Sequence, residues 1–299
     1  MTPRLEAFRA DGWMLLASAL WGAAFVAQSH AAAHLDAASI VAIRFLAGGL
    51  LLVPVVIVRR KSVRQRSPIG VVMRGGIGAG VAMLIAAILQ QCGIEQGCTA
   101  SAAGFITGLY VLFVPILGLI GGMRTHLSVW SGAVVAAIGL YLLSVAPTLS
   151  MSPGDSLVLL CAVAWAIHVL VIGRFSPRCD AIELAATQFL TTGFLALLMM
   201  DRVPSPEAIQ AAMWPMLYLG PVAVSIAFTL QVVGQRVAPP AHAAVILSME
   251  GLFAAVFGAI LAGERLGAGQ YVGCGFMLAG ALLAQWTELR RRSNPGETC

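Results

Sequence analysis

Ten apolar segments of about twenty residues follow one another along this chain of 299 residues. As a helix, each would rise about 1.5 Å per residue and so cross the roughly 30 Å hydrocarbon core of a bilayer. Only 10% of the residues are charged and 59% are hydrophobic, whereas soluble domains carry about 25% charged residues. The sequence therefore predicts an all-α polytopic membrane protein. The segments are 12–33, 37–58, 74–95, 98–121, 127–146, 154–174, 180–200, 211–234, 240–262 and 267–287.

The basic residues predict the orientation of these ten helices. With the N-terminus in the cytoplasm, all but three of the 18 Lys and Arg residues fall on the cytoplasmic side, as the positive-inside rule requires. The exceptions are Arg202 and Arg265 on the outer side and Arg44 inside the second segment. Ten crossings return the chain to its starting side, so we predict cytoplasmic tails at residues 1–11 and 289–299.

The chain also repeats itself. The sequence LLASALW at 15–21 matches LLCAVAW at 159–165 with an offset of 144, and beyond the basic loop the offset becomes 141. Two copies of five segments enter the membrane from opposite sides, which gives an inverted repeat around a central site, as in many carriers. The predicted units are 12–146 and 154–288. Pairs related by the offsets include Phe45/Phe189, Gly49/Gly193, Gln90/Gln231, Gly93/Gly234, Gly132/Gly273 and Gly139/Gly280.

Three stretches resemble the drug/metabolite transporter superfamily, in its EamA-type branch of ten-helix carriers. They are ALWGAAFV at 19–26, the Arg-Phe of VAIRF at 41–45, and ILSMEGLFAAVFGAILAGERLGAGQYVGCGFMLAGALL at 246–283. The third is similar to the closing motif of the family, in which an acid precedes an apolar helix that ends in Gly-Glu.

The resemblance implies a ring of helices around a central cavity, lined mainly by segments one, three, four, six, eight and nine. It also implies export of amino acids, purines, drugs or other small metabolites. In length and layout, the chain is most similar to bacterial exporters of aromatic and other neutral amino acids.

Glu250 is the one charged residue within the ninth segment and lies near its middle. On insertion scales an acid at the centre of a membrane helix costs about 2.5–3.5 kcal/mol, so its presence requires a reason. Glu250 could couple proton movement to substrate, balance a substrate amine, or occupy a packing position while protonated or paired with Arg or His. The repeat places Leu109 opposite Glu250 and Met123 opposite Glu264, so the fold itself requires neither acid.

Four further polar or aromatic residues are candidates for the cavity. Trp21 and Trp165, which the repeat relates, are predicted too deep for an interfacial belt, so they either line the cavity or pack between helices. His168 follows Trp165 by three residues and shares its helix face. This histidine indicates a polar cavity or a proton step, unless it bonds a backbone carbonyl. The hydroxyl of Tyr110 could meet a ligand or a neighbouring helix.

Gln90 and Gln231 are a symmetry-related pair predicted nearer the outer and the inner side, respectively. They could serve two alternate gates, or they could form hydrogen bonds between helices that are worth roughly 0.6–2 kcal/mol each. Pro115 lies inside the fourth segment and should kink it. The kink could belong to a mobile gating helix or be a static bend.

Two other groups of polar residues are expected to be structural. Arg44 should extend towards the membrane surface or pair with Asp36 rather than bind an anion. His30 and His34 have the spacing of helical metal ligands, but neither a cysteine nor a further histidine supports a site there. We therefore expect neither a metal nor a cofactor.

These features together favour a secondary transporter or facilitator that exports small metabolites, above all aromatic or other neutral amino acids, by alternating access. The alternatives are an exporter of drugs or other metabolites and a small-solute channel. An intramembrane enzyme is disfavoured, since no paired acids and no nucleophile with a base are predicted at matching depth. The expected partners are a small-molecule substrate and the lipid bilayer, but no nucleic acid. We expect a monomer or homodimer in the bacterial inner membrane.

Overall fold

The computed structural model describes residues 3–62, 67–144, 152–261, 263 and 267–293, and within these ranges it has helices and turns but no β-strand. The predicted all-α class is confirmed. A short 3₁₀-helix, Ser176–Arg178, follows α7, and a π-helix, Leu219–Phe228, joins α10 to α11. The helices are α1 (Pro3–Ala32), α2 (Ala37–Ser62), α3 (Ile69–Glu95), α4 (Ala100–Gly108), α5 (Tyr110–Ile120), α6 (Leu127–Ser144), α7 (Pro153–Phe175), α8 (Ala181–Leu198), α9 (Pro206–Ala211), α10 (Met213–Tyr218), α11 (Thr229–Gly234), α12 (Pro240–Leu247), α13 (Glu250–Leu261) and α14 (Ala268–Ser293).

Eight helical spans in the described ranges are long and apolar enough to cross a membrane. They coincide with eight of the ten predicted segments, and α6 and α14 contain shorter apolar stretches at the other two. The first helix begins at Pro3, so most of the predicted tail 1–11 is helical. The predicted unit end at residue 146, Glu264, Arg265 and the last six residues of the predicted tail 289–299 lie outside the described residues.

Side-chain caps define where several helices begin. Ser152 and Asp155 form a capping box at the start of α7, with each side chain accepting from the backbone N–H of the other residue at 3.1 and 2.9 Å. Asp180 caps α8 by accepting from the backbone N–H groups of Ile182 and Glu183. These bonds satisfy donors that lack a partner within the helix.

The fourth predicted segment is two helices rather than one. The chain is interrupted at Leu109, between α4 and α5, whereas Pro115 lies inside α5. The interruption therefore lies before Pro115, and the kink predicted at this proline stays a prediction. The N–H of Leu109 bonds to the carbonyl of Ile106 at 3.1 Å, a bond one residue shorter than in an α-helix. Gly108, a poor helix former, lies within this tightened turn.

The ninth segment is interrupted in the same way. Helix α12 ends at Leu247 and α13 begins at Glu250, with Ser248 and Met249 between them. The N–H of Met249 bonds to the carbonyl of Ile246 at 3.1 Å, and the Ser248 hydroxyl donates to a backbone carbonyl in the preceding turn. The two interruptions occupy corresponding places in the repeat to within two residues, so a proline is not their common cause.

The eighth segment contains the wider turns of the π-helix. Pro221 lies within it and has no N–H to donate, so an α-helical bond is lost at this point. A π-helix lets neighbouring carbonyls turn away from the helix axis. The carbonyl of Ala223 accepts a hydrogen bond from the Trp21 indole at 3.0 Å.

Glycines that the repeat relates make reciprocal contacts between α6 and α14. A methyl group at Gly132 would lie 2.7 Å from the carbonyl oxygen of Gly280, and one at Gly139 would lie 2.6 Å from that of Gly273. The offset pairs Gly132 with Gly273 and Gly139 with Gly280. Exchanging the two copies of the repeat therefore turns one contact into the other. Copies related by a twofold axis would show this relation. Such glycines let helix backbones approach closely in lipid.

The same reciprocity occurs between α2 and α8. Gly49 faces Leu190, and Gly193 faces Leu46, which are pairs that the offset of 144 exchanges. Phe45 and its counterpart Phe189 contact each other directly, with ring centroids 6.3 Å apart. The spacing of the repeat in the sequence thus corresponds to contacts in the fold.

Replacing Gly280 with alanine tests the close packing of α6 against α14. The added methyl would lie 2.6 Å from the Gly132 carbonyl oxygen and 2.7 Å from the Ala136 nitrogen, and neither backbone atom can move aside easily. We expect Gly280→Ala to destabilise the protein by about 1–3 kcal/mol. The measurement is the thermal unfolding midpoint in detergent.

Gly275→Ala is the matched control on the same helix, because a methyl there meets no other group within 4 Å. It should be neutral or stabilise by up to about 1 kcal/mol, since alanine favours helix more than glycine does. Equal unfolding midpoints for the two variants would contradict the packing described here.

Candidate functional site

The central cavity lies between the two halves of the chain and has a volume of about 50 Å³. By that measure it holds about four waters, so a metabolite enters only when the helices move apart. The lining comes from segments one, three, four, six, eight and nine and from α2. The residues are Trp21, Ala24, Phe25, Gln28, Arg44, Gln90, Thr107, Tyr110, Trp165, Val169, Ala223, Val224, Phe228, Gln231, Leu247 and Glu250.

Aromatic rings form one wall of the cavity. Phe228 lies between the two tryptophans, with its centroid 4.4 Å from the Trp21 ring and 5.5 Å from the Trp165 ring, against which it stacks. Both tryptophans are at least nine-tenths buried. The sequence analysis missed Phe228, because its counterpart at the offset of 141 is Ala87 and nothing else distinguishes it among twelve phenylalanines.

The two related tryptophans make different hydrogen bonds. Trp165 donates from Nε1 to Oε1 of Gln90 at 2.9 Å, and Gln90 donates in turn to Gln28 at 3.3 Å. By symmetry, Trp21 would donate to Gln231, but it donates to the Ala223 carbonyl. Gln231 donates instead to Oε1 of Gln235, one helical turn away, at 3.0 Å. The hydrogen bonding around the cavity is therefore asymmetric.

The interrupted helices place Tyr110 and Glu250 at the cavity. Tyr110 is the first residue of α5 and Glu250 is the first residue of α13. Both are more than nine-tenths buried, and the phenol lies close enough to the carboxyl group to interact with it. Helix N-termini carry partial positive charge, so each half-helix directs a favourable field for anionic groups towards the site.

Several polar atoms of the lining have no hydrogen-bond partner among the residues that the structure describes. Burying such a group without a partner costs roughly 1–3 kcal/mol, and more when it is charged. An arginine and a glutamic acid with such atoms occur in one cavity. The atoms are Nε of Arg44, the Tyr110 hydroxyl, Oε1 of Gln231 and Oε1 of Glu250.

The position of Arg44 differs from the one expected from the sequence. It lies seven residues into α2, about 10 Å along the helix, and is only 5% exposed. The guanidinium packs over the Phe45 ring at 5.0 Å and lines the cavity. The predictions that Arg44 would reach the membrane surface or pair with Asp36 were therefore wrong.

Asp36 is engaged within its own loop. It accepts from the backbone N–H and the hydroxyl of Ser39 at 2.9 and 2.7 Å. Partial burial acts to raise the pKa of Asp36, but these hydrogen bonds outweigh burial and hold the pKa below its usual value. Asp36 is therefore hydrogen-bonded within its own loop and does not pair with Arg44.

His168 and Pro115 lie outside the cavity lining. The His168 ring is fully buried, its Nε2 lies 2.9 Å from Oε1 of Gln188, and its edge meets the Trp165 ring at a centroid distance of 5.4 Å. It thus contacts the cavity wall from behind. No group of three metal-ligating side chains occurs within the described ranges, and His30 and His34 belong to none.

Comparison with known proteins identifies the family. The EamA-like transporter family matches residues 8–145 and again residues 152–286. The chain belongs to this family. Membership confirms the predicted drug/metabolite transporter superfamily and makes the protein a multi-pass membrane transporter.

One curated relative and one solved structure illustrate the similarity. An uncharacterized transporter from Archaeoglobus fulgidus is 26% identical over 283 residues, which cover 92% of this chain and 85% of the relative. A protein known from a crystal structure superposes with a TM-score of 0.72 at 20% identity, covering 94% of this chain and 98% of that one. The second comparison supports the fold alone.

Two substitutions test how much individual polar groups of the cavity contribute to stability. Gln90→Leu leaves the Trp165 N–H and the Gln28 oxygen without their partner, so we expect a loss of about 1–3 kcal/mol in stability. Tyr110→Phe removes a hydroxyl that lies near the Glu250 carboxyl group but makes no hydrogen bond of good geometry in the described part of the chain, so it should cost less stability than Gln90→Leu. Thermal unfolding in detergent measures both. A Tyr110→Phe variant as unstable as Gln90→Leu would show that the hydroxyl supports the fold.

Proposed function

We propose that the protein is a ten-helix carrier built from two inverted five-helix repeats, residues 12–146 and 154–288, with both termini in the cytoplasm of a bacterium. The reciprocal glycine contacts and the double match to the family support the repeat. The concentration of basic residues on one side supports the orientation and location in the inner membrane. One chain supplies the whole cavity lining, so a monomer suffices for transport, whether or not it dimerises.

For the substrate we propose neutral amino acids, preferentially aromatic ones, which cross the membrane without chemical change. The observation that carries this proposal is the buried Arg44 guanidinium and the buried Glu250 carboxyl group in one cavity. Arginine recognises a carboxylate with paired hydrogen bonds, and a carboxylate balances an ammonium group. A zwitterion would therefore satisfy both unpartnered groups at once.

The remaining walls support an apolar substrate side chain. Trp21, Trp165 and Phe228 offer ring faces, and Tyr110 adds a hydroxyl group close to Glu250. An aromatic side chain stacked on such rings gains about 0.5–1.5 kcal/mol beyond the burial of its surface. His168 holds the Trp165 ring from behind, and we assign it a positioning role.

The asymmetric hydrogen bonds suggest how access alternates. In the described conformation Trp165 bonds to Gln90, whereas the related pair Trp21 and Gln231 is not bonded. We propose that the opposite conformation exchanges these arrangements, so that Gln90 and Gln231 serve alternate gates. The interruption at Leu109 would then act as the hinge about which α5, with Pro115, moves as one piece.

Charge recognition can be tested with three related solutes in proteoliposomes: phenylalanine, its carboxamide, and phenylpropionate, which lacks the amine. Arg44→Gln should abolish the preference for phenylalanine over the amide, and Glu250→Gln the preference over phenylpropionate. Loss of a buried charged partner costs about 2–5 kcal/mol, or at least about thirtyfold in the corresponding ratio. Competition against labelled phenylalanine uptake measures these ratios.

Arg74→Gln is the control, because Arg74 is exposed and lies outside the cavity lining. It should leave both ratios unchanged. If Glu250→Gln changes only the pH dependence of transport and keeps the ratio, the acid couples protons and does not balance the amine.

Exchange across the membrane tests alternating access. Liposomes preloaded with unlabelled substrate should take up labelled substrate several-fold faster than empty ones, because the loaded carrier then returns through a bound state. The measurement is initial uptake at equal external concentration. Equal rates with and without preloading would favour a channel.

A further inference from the structure

A second pocket lies at the end of the bundle that carries most basic residues. Its volume is about 440 Å³, and the end of α2, the start of α3, the turn between α7 and α8, and the end of α11 surround it. Its charged lining consists of Arg59, Arg60, Arg178, Arg236, Asp180 and Glu183. Among the described residues, four arginines face two carboxylates, so this lining has a net positive charge.

Two of these arginines already have carboxylate partners. Arg59 bonds to Asp180 at 2.8 Å, and Arg60 forms a bidentate pair with Glu183 at 2.7 and 3.1 Å. Partial burial acts to raise the pKa of Asp180, but hydrogen bonds from Arg59 and the α8 backbone outweigh it and keep the pKa low. Asp180 therefore stays ionised, and the two arginine–carboxylate pairs hold α2 against the start of α8.

The other two arginines are available to a ligand. Arg178 and Arg236 are exposed, and neither takes part in an ion pair among the residues that the structure describes. They come from different elements, the 3₁₀-helix after α7 and the turn after α11. An anion between them would therefore be held from two sides.

An apolar groove continues from this pocket towards the interior of the membrane. It has a volume of about 180 Å³, runs between α2, α3 and α8, and shares Arg60 and Glu183 with the charged pocket. Its apolar lining includes Val53, Val56, Ile57, Ile69, Val72 and Leu190. These residues belong to helical spans that are long and apolar enough to cross a bilayer.

We propose that the pocket and groove together bind an anionic phospholipid. Arg178 and Arg236 hold the phosphate, and the groove receives the start of one acyl chain. The Arg60–Glu183 pair lies at the boundary between the two parts, because both residues line the pocket and the groove. The Glu183 side chain is only 7% exposed there. A soluble anion would leave the groove unused, and a zwitterionic lipid would leave the net positive charge unbalanced. This site is independent of the central cavity and of the transported solute.

Such a lipid would contact both halves of the chain. The pocket and the groove join α2 and α3 of the first half to α8 of the second. A ligand that binds only the folded protein stabilises it, and the stabilisation grows with the logarithm of the ligand concentration once this exceeds the Kd. Anionic lipid should therefore raise the thermal unfolding midpoint as well as bind.

The experiment titrates the full-length protein in detergent with phosphatidylglycerol, phosphatidylcholine or inorganic phosphate, and follows bound lipid by native mass spectrometry and stability by thermal unfolding. We expect phosphatidylglycerol to bind and stabilise, and the other two to do neither. Each arginine near an anionic lipid contributes about 1 kcal/mol, so Arg178→Gln and Arg236→Gln should each weaken binding about fivefold.

The matched control is the double variant Arg74→Gln/Arg124→Gln, which removes two positive charges outside the pocket. It should bind phosphatidylglycerol like the wild type, whereas Arg178→Gln/Arg236→Gln should bind about 25-fold more weakly if the two contributions add. Val56→Trp, which fills the groove, should also weaken lipid binding.

Three results would overturn the proposal. Equal binding of phosphatidylcholine would mean that the headgroup charge is not recognised. Stabilisation by inorganic phosphate to the same extent would indicate a free-anion site. Wild-type lipid binding by the Arg178→Gln/Arg236→Gln variant would exclude this pocket as the site.

Discussion

Backbone hydrogen bonding is the constraint on which this architecture depends. Hydrocarbon offers no partners to N–H and C=O groups, so only a helix can carry the chain across as a single segment. Irregular backbone is tolerated only inside the protein or beside a cavity. The interruptions after α4 and α12 and the π-helix all lie where residues line the central cavity. The departures from α-helix therefore coincide with the place where a transporter must bind its solute.

The cavity also concentrates polar groups that the fold leaves incompletely bonded. Arg44 and Glu250 are both costly to bury, and neither is paired with the other or with a further charged side chain in the described ranges. By contrast, Arg60 and Glu183, at the edge of the membrane, form a bidentate pair. The described arginines and acids that join α2 to α8 are paired, whereas Arg44 and Glu250 in the cavity have no charged partner among the described residues. This contrast is the basis on which we propose that the site recognises a zwitterion.

The sequence predicted the family, the all-α class and most segment positions, because the length and position of each apolar segment are visible in the sequence itself. Two residues that the repeat relates, Phe45 and Phe189, also contact each other, although the sequence alone did not predict this contact. The site was predicted less completely. Arg44 was misplaced because distance along a helix does not reveal which neighbour faces a side chain. Phe228 was missed because its role depends on two tryptophans from other helices. The break at Leu109 arises from local turn geometry, which the more conspicuous Pro115 obscured.

The glycine contacts between α6 and α14 have a consequence for how motion in this molecule can be observed. The backbones of the two helices touch at two related glycine contacts, Gly132 with Gly280 and Gly139 with Gly273. Neither helix can therefore slide along the other without losing both contacts. The spacing of α6 and α14 is thus hard to change without disrupting their packing. The distance between spectroscopic labels on these two helices should stay constant during transport. It would serve as an internal reference for measuring displacements of the interrupted helices.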